Sequence, residues 1–174
     1  MKKLTGIFIV IVTITLLISC KPSKEEAMKY HDALVNEEVL IIEAESAFTD
    51  AVVNNKQSEL DVLYAAFLKQ IETSNEVVNN IKALGDDSKF KDATLALLSV
   101  YSSVAKQEYS EVLKIAKIPD TEYTEEHNNK MKEISAKIDD KLNKEVQNFL
   151  KAQKELATKY KITATPTTKN NINY

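Results

Sequence analysis

Residues 23–54 read SKEEAMKYHDALVNEEVLIIEAESAFTDAVVN, and they decide the fold. Ala27, Tyr30, Leu34, Ile41, Ala44, Phe48 and Ala51 recur at steps of three and four, which places them on one face of a helix. Ser23-Lys24-Glu25-Glu26 supplies the start. A serine can accept from the amide three residues on, while the glutamate there reaches back to the serine amide. The stretch therefore predicts a helix from Ser23 to about Asn54. No apolar residue interrupts Asn54-Asn55-Lys56-Gln57, which reads as a turn.

Three similar segments follow. Ser58 is placed to cap a second helix, with Glu59 and Asp61 where the helix dipole favours acid. Leu60, Tyr64, Phe67, Ile71, Val78 and Ile81 form its stripe, and Gly85 fits the left-handed residue just past its end. Asp86, Asp87 and Ser88 offer caps for a third helix lined by Phe90, Leu97, Leu98, Tyr101, Val104, Ala105, Val112 and Ile115. Ile118-Pro119 ends it, because proline pushes the residue before it out of helical geometry. Thr121 or Thr124 opens the fourth and longest helix, which runs to about Lys161 with Met131, Ile134, Ile138, Leu142, Phe149 and Leu156 facing inward. Residues 162–174, with Pro166 and no stripe, read as a flexible tail. Only Gly85 and three prolines lie beyond residue 20, too few breakers for a β-rich domain. Short connections make sequential helices antiparallel neighbours. The expected fold is all-α, an up-down-up-down four-helix bundle, with a longer three-helix arrangement as the alternative.

That topology fixes which loops meet. Residues 54–58 and 118–121 fall at one end, and residues 85–88 and the tail at the other. The fourth helix exceeds the others by about ten residues and is expected to overhang at the end that carries the chain's N-terminal side.

The first twenty residues differ in kind from the rest. Lys2 and Lys3 precede an apolar run from residue 7 to 18, closed by Leu17-Ile18-Ser19-Cys20. This has the tripartite form of an export signal. The run is short for a membrane span. The closing quartet resembles the lipobox of bacterial lipoproteins: a branched apolar residue, a tolerated second, a small residue, then cysteine. The resemblance implies removal of residues 1–19 and acylation of Cys20, including palmitate-type chains. The membrane is then the first partner, bound through the acyl chains on Cys20, with residues 20–161 as the bundle domain. Cys20 is also the chain's one cysteine, so no internal disulfide can form. Lys21 is not the aspartate that resembles an inner-membrane retention signal, so the expected location is the outer membrane, on its periplasmic or surface leaflet. Tyr30-His31-Asp32 with Glu37 and Glu38, and the run from Gln153 to Tyr160, are similar to uncharacterised helical surface lipoproteins of bacteroidete and spirochaete type. That similarity implies no reaction or cofactor.

Twenty-three lysines and no arginine stand against 26 acidic residues. An acidic chain without arginine is a poor partner for nucleic acid. No haem-attachment, phosphate-loop or nucleophile motif is present. Ferritin-like metal sites need Glu-x-x-His, but Met28 precedes His31 and Thr124 precedes His127 at that spacing. Glu37, Glu108 and Glu145 fall near core positions at different heights and are read as stripe-edge carboxylates reaching water. The two histidines are read as surface or stripe-edge residues. No catalytic, metal-ligating or cofactor-binding residue is assigned, and the chain is not expected to be an enzyme. Its tyrosines, Tyr30, Tyr64, Tyr101 and Tyr109 among them, either pack in the core or line a groove. The sequence thus points to an interaction or structural role with a protein or envelope polymer. The alternative is a module that binds a small apolar or aromatic ligand between its helices. A cavity lined by tyrosines and carboxylates would favour the second.

Overall fold

The computed structural model describes residues 21–164. Residues 1–20 and 165–174 lie outside the described residues, and the expectations of signal cleavage, of acylation at Cys20 and of most of the tail fall there. Five helices follow in order: α1 (Lys24–Val53), α2 (Leu60–Asn80), α3 (Lys89–Lys106), α4 (Glu108–Ala116) and α5 (Glu125–Tyr160). α3 and α4 form one broken rod, so the architecture is an all-α bundle of four antiparallel rods. Among the described residues no helix is long and apolar enough to cross a membrane.

The capping box at α1 is formed as the sequence reads. Glu26 N–H donates to Ser23 Oγ at 3.1 Å, and Ser23 N–H donates to the Glu26 carboxylate at 2.7 Å. Thr124 caps α5 in the same way, with His127 Nδ1 accepting from the Thr124 amide at 3.1 Å. Ser58 does not cap α2, whose N-cap is Glu59 without a side-chain bond. Gly85 is not the C-terminal residue of α2. That helix ends at Asn80, and Gly85 sits at φ +60 in a tight turn in which Asp87 N–H donates to Leu84 C=O at 3.1 Å. Only a residue without Cβ suits that φ beside Pro22, whose Cγ would lie 3.1 Å from an added Cβ.

The third rod breaks at Gln107 (φ −106, ψ −76), where the sequence has neither glycine nor proline. Its buried face nevertheless continues through Tyr101, Val104, Ala105, Tyr109, Val112 and Ile115. Ile162, expected to open the tail, instead closes α5. Lys161 adopts a left-handed φ of 52, and Ile162 N–H donates to Ala157 C=O at 3.0 Å while Ile162 itself is buried. This is the six-to-one closure that satisfies the last free carbonyls of a helix, with Ile162 packed as its hydrophobic partner.

Loop contacts establish the antiparallel arrangement. At one end Asn55 donates to Asp120 at 3.4 Å, Gln57 to Ala116 C=O at 3.3 Å, and Lys117 pairs with Asp61 at 2.7 Å. At the other, Pro22 lies on Gly85 and Lys159 pairs with Asp87 at 2.6 Å. The overhang of α5 is at the first of these ends, opposite to the expectation. His31 of α1 meets Gln153 of α5, and stepping 22 residues along each helix brings Val53 level with Met131. The first six residues of α5, about 9 Å of helix, therefore stand beyond the end of α1.

Candidate functional site

The apolar stripe of α1 has gaps, and charged residues fill them. Between Leu34 and Ile41 the helical period falls on Glu37 and Glu38, and between Ile41 and Phe48 it falls on Glu45. All three are buried, as is His31. His31, Glu38 and Glu45 are spaced by seven residues, which places them along one line of α1, about 10.5 Å apart at each step. The expectation that the histidine is a surface or edge residue is therefore wrong for His31. Its ring is fully enclosed, stacked on Phe90 with centroids 5.8 Å apart, with Nε2 3.2 Å from Gln153 Nε2 and Nδ1 2.8 Å from Asp32. His127 is partly exposed at the start of α5, where its ring lies against Tyr123.

Partners from other helices reach Glu37 and Glu45. Glu37 accepts from Ser74 Oγ at 2.8 Å, and Ser74 occupies the matching gap in the α2 stripe. Glu45 accepts from the Tyr109 hydroxyl. Phe48 and Phe67 hold the Tyr109 ring edge-on at 5.9 and 5.4 Å. Glu108 pairs with Lys141 at 2.6 Å. Glu37 and Glu108 are thus buried and partnered rather than edge residues reaching water. Glu145 is partly exposed and accepts from Asn148 at 2.9 Å. These carboxylates do not converge: among the described residues no three His, Cys, Asp or Glu side chains are grouped as a metal ion requires. Tyr30 packs its ring against Phe90, and burial pushes its hydroxyl up to about 12 against a smaller pull from the Lys91 backbone.

The bundle opens near the end at which α5 outruns α1. A cleft of about 610 Å³ lies between the end of α1, α4, the 117–124 connection and residues 128–139 of α5. That is the size range of small-molecule sites. Val52, Val112, Ile118, Met131 and Ile138 form apolar walls, with the Tyr109 ring among them and Tyr123 beside them. Asn55, Asp120, Asn128, Lys132, Ser135 and Asp139 add polar groups. Val53, 74% exposed, and Tyr123, 36% exposed, leave apolar surface uncovered there. The seam and the cleft share one residue, since Tyr109 lines the cleft with its ring and bonds Glu45 with its hydroxyl.

No family model, curated protein or solved structure matches this chain. The functional reading therefore rests on its own residues.

Proposed function

We propose that this chain is a bacterial lipoprotein, held in the outer membrane by acyl chains on Cys20, whose helical bundle has a non-catalytic binding role. The Leu17-Ile18-Ser19-Cys20 quartet supports the anchor. So does the closeness of α1, which starts four residues after Cys20. On this reading the Gly85 end of the bundle faces the bilayer and the cleft faces away from it. Two or three acyl chains hold a protein stably, whereas one is marginal.

Of the two binding roles, a protein or envelope-polymer partner and a small apolar or aromatic ligand, the cleft favours the second. It is the observation that carries this reading, because tyrosines and carboxylates border it together. The anchor is tested by Cys20→Ser followed by membrane fractionation. Release into the soluble fraction, or accumulation of the unprocessed precursor, is the expected result. A variant that is processed and still sediments with membranes overturns the anchor.

A further inference from the structure

The cleft's surroundings carry a charge asymmetry that selects among ligands. Residues 50–61 and 111–140, which make up the cleft end, hold eleven acidic residues and six lysines. The opposite end, residues 21–32, 76–92 and 151–164, holds ten lysines and eight acidic residues. The cleft end is thus net −5 and the other end +2, on a chain that is −3 overall. Within the lining itself two carboxylates, Asp120 and Asp139, face one lysine, Lys132. Asp120 accepts only a long hydrogen bond from the Asn55 amide, at 3.4 Å. Among the described residues none of the three makes a salt bridge, unlike the lysine and acid pairs elsewhere on the surface.

We propose that the cleft binds a small organic cation with an apolar or aromatic body: the body lies against Val52, Val112, Met131 and the tyrosine side chains, and the cationic group lies at the acidic rim to which Asp120 and Asp139 contribute. This rests on the small-ligand reading above and narrows it to a charge class. Tyrosine faces add to the attraction for a cation. Apolar walls supply affinity without regard to charge, and the carboxylates supply discrimination.

Three probes with one ring separate these contributions: 1-naphthylmethylammonium, 1-naphthylmethanol and 1-naphthoate, titrated into the chain from residue 21 to 174 and followed by calorimetry. The ammonium is expected to bind about five- to tenfold more tightly than the alcohol at low ionic strength, and the naphthoate most weakly. The ammonium's advantage should shrink severalfold in 0.5 M salt, because exposed charges are screened. Asp120→Asn with Asp139→Asn, two exposed positions, should abolish it while leaving the alcohol's affinity unchanged. Equal binding of ammonium and alcohol overturns the cation inference and leaves the small-ligand reading standing. Failure of all three probes to bind overturns both.

Discussion

Removing the Tyr109 hydroxyl should cost more than one ordinary hydrogen bond. Tyr109→Phe keeps the ring, and with it the edge-on packing against Phe48 and Phe67 at 5.9 and 5.4 Å. What goes is the donor to Glu45, a carboxyl only 3% exposed. A hydrogen bond to a charged group contributes about 1.5–3 kcal/mol, and a buried acceptor that loses its donor keeps its desolvation cost. For a domain of this size that corresponds to a Tm lower by about 3–12 °C. Urea denaturation followed by circular dichroism at 222 nm reads the difference directly. Pairing the change with Glu45→Met removes both polar groups from the same space. The double variant is expected to recover to within about 1 kcal/mol of the parent, since replacing both partners of a buried polar pair is often neutral. A loss below about 0.5 kcal/mol for Tyr109→Phe, or a double variant that loses the sum of the two single changes, refutes the claim that the pair is mutually dependent.

Three further outcomes test other parts of the fold. Lys161→Gly should raise stability by about 0.5–1 kcal/mol, because Lys161 holds a left-handed φ of 52 that glycine adopts without steric cost; chemical denaturation checks it. Ser23→Ala should lower stability by about 1 kcal/mol in the same assay, through loss of the Glu26 amide's acceptor at the start of α1. The hydrogen bond from Lys159 holds the Asp87 carboxyl below its ordinary value. A depressed acid stabilises the fold above its unfolded value of about 3.9 and loses that contribution as pH falls through its folded value. Stability of the parent and of Asp87→Asn, measured against pH, should therefore differ at pH 6 and converge as pH falls through the folded value of Asp87.

The helices were legible because their signals are local. Ser23 and Glu26 lie three residues apart, so their reciprocal bonds could be read directly. That residues 54–58 and 118–121 share one end, where Asn55 donates to Asp120, followed from counting alternations. The break at Gln107 had no such signal, since neither glycine nor proline marks it. Gly85 misled because its positive φ serves a turn beyond the helix rather than the helix end. The buried seam was missed for a different reason. A charged residue at a stripe position looks like an edge, and its burial depends on partners far along the chain: Gln153 lies 122 residues from His31, and Tyr109 lies 64 from Glu45. The gaps at Glu37, Glu38, Glu45 and Ser74, read together across helices, were the available clue. The cleft gathers residues from α1, α4, the 117–124 connection and α5, and which of them face one another is set by the side-chain register between helices, which helix lengths do not specify.

The anchor at Cys20 is read most directly at the N-terminus of the protein. Intact mass spectrometry of the protein extracted from membranes of its own cell should give a chain that begins at Cys20, heavier than its sequence by a diacylglyceryl group, with or without a further acyl chain on the new amine. A membrane-extracted chain that retains residues 1–19, or one that begins at an unmodified Cys20, would contradict it.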